Sequence, residues 1–305
     1  MQFNTRILAH KFEYLAPKTL TEALDLLSRY QDKNIKVLAG GTDLLVKMKT
    51  IAMNVDYLMN IKDIPELNFI DTAEGLIIGA TIPLTYLLRE DKVRTEYTAL
   101  YEGIQSIAAP AIRNMATVAG NIGNASPAAD TVPPLIAFGA KVIIESKQSK
   151  RTALLEELFT GPGKTILNPD ELISRIEVPE VKSNTGSAFL KNSRVKADLA
   201  KINIAVSLQR NGQNCENCKI VFGAVAATAV RARKTEKLLE GHIITEELIT
   251  QTAKEVSSEI KPINDIRSTA EYRILMSREM LCDALKLAWA RTNSKNLFDS
   301  QDGGE

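Results

Sequence analysis

Between Thr19 and Tyr30 the apolar residues fall at Leu20, Ala23, Leu24 and Leu27, the spacing of one helical face. Thr19-Leu20-Thr21-Glu22 has the form of a capping box, so a helix over about 19–30 is expected. The pattern then changes. Ile35-Lys36-Val37-Leu38-Ala39 reads as a short strand that ends abruptly in Gly40-Gly41-Thr42-Asp43. Further strands are expected at 55–61 and 76–80, with helices between about 83 and 107, so the first half mixes α and β. A strand at 141–145 follows, then one from Leu172 to Val178 that Pro179 stops. Residues 180–187, rich in Ser, Asn, Thr and Gly, have the composition of a linker.

Beyond the linker Ile202, Ile204, Val206 and Leu208 alternate with Asn203, Ala205, Ser207 and Gln209, the period of a half-buried strand. Asn211 to Cys218 is expected to turn the chain into a second strand at about 218–227. Helical periods follow near 231–240, 245–259 and 268–291, with Gly241 placed to stop the first and Ser268-Thr269-Ala270-Glu271 to cap the last. A small antiparallel sheet packed on three helices is the simplest C-terminal domain. Cys282 falls seven residues from both Leu275 and Trp289 on the last helix, the place of a packed core thiol. The polar stretch from Thr292 to Glu305 reads as a frayed tail, and there is no internal repeat.

Composition narrows the chemistry by exclusion. The 305 residues are enough for about two domains, and 45% are hydrophobic. With 38 Lys and Arg against 37 Asp and Glu, no overall field favours nucleic acid or an anionic membrane. No apolar run approaches the roughly 20 residues of a membrane span, so a cytoplasmic location is the default expectation. Three cysteines fall short of the four thiolates usual for an iron–sulfur cluster, and His10 and His242 form no zinc-protease pattern. Cys215-Glu216-Asn217-Cys218 has the form of a metal half-site, but no second pair closes it, which favours a structural role.

Two segments could carry chemistry. In Gly40-Gly41-Thr42-Asp43, directly after a strand, small residues let backbone N–H groups approach an anion, although many Gly-Gly turns only reverse the chain. The run from Thr117 to Asp130, which holds Gly120, Asn121, Gly123, Asn124 and Ser126, is polar between apolar flanks. Read as a buried irregular loop, it needs a ligand or its own side chains to satisfy its backbone. It contains no basic residue, so a bound diphosphate would be held by backbone and hydroxyl donors instead of charge. Gly163-Lys164-Thr165 imitates the end of a nucleotide P-loop, but Leu158 stands where that motif demands glycine.

Val37-Leu38-Ala39-Gly40-Gly41-Thr42-Asp43-Leu44, followed by the Thr117 to Asp130 run, closely resembles the two FAD-binding signatures of molybdenum hydroxylase flavoprotein subunits of the xanthine and carbon monoxide dehydrogenase type. The resemblance extends over nearly the whole chain. It takes in Phe12-Glu13-Tyr14-Leu15-Ala16-Pro17, the Leu172 to Pro179 strand, Ala188-Phe189-Leu190-Lys191, and Phe222-Gly223-Ala224-Val225 before Arg231-Ala232. It implies an α+β fold: a two-lobed FAD-binding domain of the vanillyl-alcohol-oxidase-like type over 1–179, with lobes of about 1–58 and 59–179. A C-terminal α+β domain over 188–291 and a flexible tail over 292–305 would follow.

Residue by residue, the resemblance implies that Val37, Leu38, Ala39, Gly40, Gly41, Thr42, Asp43 and Leu44 wrap the FAD diphosphate. Thr117, Gly120 and Asn121 would make further diphosphate and ribityl contacts, with Asn124 and Ser126 making similar ones and Asp130 a partner for the sugar or ring edge. Ile107 and Ala108 match one apolar wall and Ile173 another. Lys191 matches a lysine beside the isoalloxazine, where a cation favours the reduced, anionic flavin; taken alone it would be a solvated strand lysine. Asp198 matches an acidic position that in some relatives influences nicotinamide access.

The implied role is an electron relay without a catalytic acid or base of its own. Electrons would come from 2Fe-2S centres on an iron–sulfur small subunit, originate at a molybdopterin large subunit, and leave to NAD or another acceptor. The branch that inserts a four-cysteine cluster into this subunit is excluded by the cysteine count. Two rival readings stay open: a freestanding flavin-dependent reductase or oxidase of the same fold, and a flavin-free assembly protein.

Overall fold

The computed structural model describes residue 8, residues 11–51 and residues 53–292. His10 and the expected tail beyond Thr292 lie outside the described residues. By compactness the chain divides into two units. One comprises Met1–Leu87, Ala109–Ala125 and Ala140–Val178, the other Leu88–Ala108, Ser126–Gly139 and Pro179–Glu305.

The first unit opens as its sequence pattern predicts. Thr19 Oγ1 accepts from Glu22 N at 3.1 Å, and the helix Leu20–Arg29 buries Ala23, Leu24 and Leu27. The Glu22 carboxylate reaches past the cap to Lys18 N, at 2.7 Å. Strand Tyr57–Asn60 lies between Glu13–Leu15 and Ile35–Leu38, parallel to both. Leu38, Met48, Val55 and Leu58 close a core there, with Met48 supplied by a helix, Leu44–Thr50, that the apolar spacing did not announce. The second sheet of this unit is antiparallel, in the order Ile70–Asp71, Leu76–Gly79, Leu172–Val178, Lys141–Glu145, Lys150–Leu154.

In the second unit a four-stranded antiparallel sheet runs Thr185–Asn192, Ile202–Asn211, Asn214–Gly223, Val230–Arg231. Helices Arg233–Leu239, Glu246–Glu259 and Ala270–Arg291 complete the expected C-terminal set. Ile202, Ile204, Val206 and Leu208 join Leu239, Ile249, Val256, Leu281 and Leu285 in one core.

Five expectations require correction. Ile202–Leu208 is buried throughout, not half-buried, because helices Thr98–Gln105 and Val132–Ala137 pack against it and the strands beside it. Ser187 Oγ accepts from Ala99 N at 3.2 Å, and Glu102 accepts from Phe189 N at 2.9 Å while pairing with Arg291 at 2.6 Å. The expected linker is strand from Thr185 onward; a Cβ at Gly186 would lie 1.9 Å from Ala288 O, so a small residue there lets the last helix sit on the strand. The hairpin turns tightly through Gly212, at φ 61°, and the second strand runs Asn214–Gly223, not 218–227. Finally, Thr269 rather than Ser268 caps the last helix, accepting from Tyr272 N at 3.2 Å, and Thr292, assigned to the frayed tail, is buried with its hydroxyl on Trp289 O.

Both cysteines of the Cys-x-x-Cys run therefore lie within a strand. Residues three apart should point to opposite faces, yet Cys215 and Cys218 are both buried in the same core. Asn217, at φ 48°, and a register shift opposite Ser207 and Gln209 form a bulge that restores the second cysteine to the inner face. Hydrogen bonding to Cys215, followed by burial, holds the Cys218 thiol well above its ordinary pKa. Cys282 is only half-buried, packed against the core, and burial raises its thiol too. Among the described residues no helix is long and apolar enough to cross a membrane.

Candidate functional site

In the first unit the two glycine-rich segments meet. Val37 and Leu38 end the strand, and Ala39 to Asp43 turn the chain into the helix that Leu44 opens. A Cβ on Gly40 would fall 2.2 Å from Met115 O and 2.8 Å from Ala116 Cα, so only glycine allows this backbone-to-backbone contact. Gly41 has φ 81°, the left-handed conformation that glycine takes without strain. Leu45 N donates to Gly41 O and Lys47 N to Asp43 O, but the backbone N–H groups of Ala39 to Asp43 find no acceptor among the described residues. Donors left without a partner among the described residues, in a turn half-buried from Ala39 to Thr42, are what an anion would bind.

The run beginning at Thr117, expected as an irregular loop, is helical from Val118 to Asn124. Thr117 caps it, its Oγ1 accepting from Gly120 N at 2.9 Å, and Ala125 ends it in the left-handed region at φ 48°. The backbone needs that the sequence left open are thus largely met by helix bonds. Gly120 faces the turn, since its Cβ would stand 3.9 Å from Ala39 Cβ. Asn121 is half-buried, and Asn124 accepts a hydrogen bond from Lys47 Nζ. Sequence reading missed Lys47, because its segment carried no recognised helical period. The Thr117 to Asp130 run has no cation of its own, but the fold brings one to its edge. Ile173 is buried in the antiparallel sheet, paired with Ile144 at a bulge, on the strand against which the Val118–Asn124 helix packs.

The remaining candidates belong to the second unit. Ile107 and Ala108 form a half-buried turn after Thr98–Gln105, with Ala108 at φ 39°. Ser126 accepts from Ala128 N at 3.3 Å. Asp130 and Lys191, 61 positions apart, form a buried ion pair: Nζ lies 2.7 Å from Oδ2, with the two side chains 7% and 8% exposed. Lys191 is therefore no solvated strand lysine. Its Nζ also reaches Ser106 O at 3.1 Å. Asn203 Nδ2 donates to the other carboxylate oxygen at 2.7 Å and to Ala129 O at 3.3 Å. Gly103 gives room for this corner, since a Cβ there would meet Asp130 O at 2.6 Å.

Burial pushes the Asp130 carboxyl above its ordinary range, while Lys191, then the Asn203 amide and the Ser106 hydroxyl, draw it back. Asn203 was visible in the sequence only as a polar member of an alternating strand, and no local signal tied it to Asp130. Asp198 is apart from this cluster, on the surface beside Arg194 at 3.1 Å.

Comparison with known proteins bears on both parts of the chain. The domain described as "FAD binding domain in molybdopterin dehydrogenase" matches residues 10–181, and that described as "CO dehydrogenase flavoprotein C-terminal domain" matches residues 187–288. The chain is 31% identical to the glyceraldehyde dehydrogenase medium chain of Sulfolobus acidocaldarius, over 90% of its own length and 98% of the relative's. It is 32% identical to the carbon monoxide dehydrogenase medium chain of Hydrogenophaga pseudoflava, over 92% of its length and 98% of that chain. A solved structure of carbon monoxide dehydrogenase from Hydrogenophaga pseudoflava superposes with a TM-score of 0.90 at 32% identity, covering 93% of this chain and 99% of that one. Domain matches across both units, joined to near-complete coverage of these relatives, lead to one conclusion: the chain belongs to the FAD-binding subunits of molybdenum hydroxylases, a family of oxidoreductase components.

Proposed function

We propose that this chain is the electron-transfer flavoprotein of a molybdenum hydroxylase complex, accepting electrons from 2Fe-2S centres on a small subunit and passing them to NAD or another acceptor. The observation that carries the reading is the approach of Gly40 to the Met115 and Ala116 backbone, which brings a turn whose N–H donors have no acceptor among the described residues beside the Thr117-capped helix. That donor set fits a diphosphate: backbone N–H groups, the Thr42 and Thr117 hydroxyls, the Asn121 and Asn124 amides, and a lysine at the edge.

When bound, FAD supplies the two-electron chemistry. The protein's part is to hold and orient it. The turn from Val37 to Leu44 would wrap the diphosphate, with Thr117, Gly120, Asn121, Asn124 and Ser126 adding contacts. Ile107, Ala108 and Ile173 would exclude water with apolar walls. Lys191 would keep a positive charge at Nζ beside the ring, and Asp130 would face the sugar or ring edge. In this reading residues 1–179 form the FAD domain and 188–291 the C-terminal domain, working in the cytoplasm. No 2Fe-2S or molybdopterin ligand set is assigned to this chain, so an iron–sulfur subunit and a molybdopterin subunit would carry those groups. A docking interface larger than about 1,000 Å² is expected for a stable complex.

The test is co-expression with the chains encoded beside it, followed by size-exclusion chromatography and metal analysis. A complex containing FAD, iron and molybdenum supports the reading. A chain that stays alone and oxidises an organic substrate unaided would replace it with a freestanding flavoenzyme.

A further inference from the structure

The pairing of Lys191 with Asp130 is completed by a residue that none of the site signatures contains. Lys191, Asn203 and Gly223 stand in one row across three adjacent strands, Lys191 opposite Asn203 and Asn203 opposite Gly223. Asn203 is fully buried. Its amide orientation is dictated by its neighbours, because Asp130 Oδ1 and Ala129 O can only accept, so Nδ2 must face them. Oδ1 then points at Gly223, where a Cβ would lie 2.1 Å away; glycine at that register position is what lets the side chain fit.

Each Asp130 oxygen thus has one strong donor, Lys191 on Oδ2 and Asn203 on Oδ1, both at 2.7 Å. We propose that Asn203 is a positioning residue: it secures the Asp130 carboxylate and through it fixes and balances the ammonium that Lys191 presents. This rests on the placement of Lys191 beside the flavin ring. Without the Asn203 donor the buried carboxylate loses a 2.7 Å hydrogen bond, a situation that favours neutral Asp130. Lys191 then keeps its charge but loses the counter-charge that tempers it. A less balanced cation stabilises the electron-rich reduced flavin further.

The experiment measures the flavin midpoint potential of the FAD-loaded full chain at one neutral pH, with melting temperature as a check on folding. Lys191→Met should lower the potential, and Asp130→Asn should raise it. Asn203→Ala should raise it in the direction of Asp130→Asn, and adding Asn203→Ala to Asp130→Asn should shift it no further, because Asn203 acts through that carboxylate. Gly223→Ala, which displaces Asn203 without deleting its amide, should raise the potential as well and serves if Asn203→Ala folds poorly. Ser207→Ala, on the same strand face, should leave it unchanged. If Lys191→Met and Asp130→Asn shift the potential while Asn203→Ala and Gly223→Ala do not, the positioning role is overturned and the flavin placement stands. If Lys191→Met has no effect, the placement of Lys191 at the ring fails, and this inference with it.

Discussion

At the scale of single residues, two glycines of the candidate cradle have different physical reasons. Gly40 is a packing glycine, since any side chain would enter the Met115 carbonyl. Gly120 is looser, with only Thr117 Oγ1 at 3.0 Å and Ala39 Cβ at 3.9 Å near its missing Cβ. Gly40→Val is therefore expected to lower stability by at least about 1–3 kcal/mol, as overpacking does, and to lose FAD as a consequence. Gly120→Val should lose FAD while keeping most of its melting temperature. Full flavin occupancy in Gly120→Val would count against a cofactor at this turn. A second residue-scale expectation concerns Glu171, buried and gripped by Arg151 through two bonds of 2.8 Å. The Arg151 guanidinium, joined by the Asn168 backbone, outweighs burial and holds the Glu171 carboxyl below its ordinary value of 4.5. A depressed folded value means that the unfolded chain binds more protons in this range. The contribution is therefore complete above about pH 4.5 and is lost as pH falls through the folded value. Glu171→Gln should flatten the acid limb of stability against pH. Because Arg151 is partly exposed, its cost at neutral pH should lie near the low end of the about 1.5–3 kcal/mol typical of charged hydrogen bonds. An unchanged acid limb in denaturant titrations would contradict this.

At the scale of elements, caps and close approaches decide where helices start and what they touch. The last helix could be capped by Ser268 or Thr269 on composition alone, and the geometry chooses Thr269, whose Oγ1 meets Tyr272 N. Thr269→Ala should cost about 0.5–2 kcal/mol and Ser268→Ala within about 0.5 kcal/mol of nothing. Thermal melts of the two variants check this, and equal losses would refute it. The same helix owes its seat on the sheet to Gly186. The Cys215 and Cys218 pair illustrates how one left-handed residue, Asn217, reverses the facing of everything after it.

At the scale of the whole molecule, neither glycine-rich segment contains a histidine or cysteine able to form a covalent flavin link, and Cys215 and Cys218 are committed to the C-terminal core. The cofactor should therefore be held noncovalently. Acid or guanidinium denaturation followed by filtration should release free FAD, and yellow colour retained on the denatured chain would contradict the expectation. The second unit also gathers Leu88–Ala108 and Ser126–Gly139, two segments that lie in the chain between the first unit's strands Leu76–Gly79 and Lys141–Glu145, onto the C-terminal sheet. It is this packing that buries the polar face carrying Asn203 and Ser207, an apparently solvent-facing row, and brings Asp130 and Ala129 to the Asn203 amide.

The sequence by itself determined what depends on neighbours along the chain. The Thr19 cap, the strand before Gly40, the alternation from Ile202 to Leu208, the three C-terminal helices and the two glycine-rich signatures are all local patterns. Those signatures sufficed for the family. The meeting of Gly40 with Met115, the reach of Lys47 to Asn124, and the Lys191, Asp130 and Asn203 network were decided only by the tertiary structure. Periodicity records which face a residue occupies, but not what covers that face. For Lys191 and Asn203 the covering group, Asp130, lies 61 and 73 positions away, and only the packing of separate segments could bring a carboxylate to them.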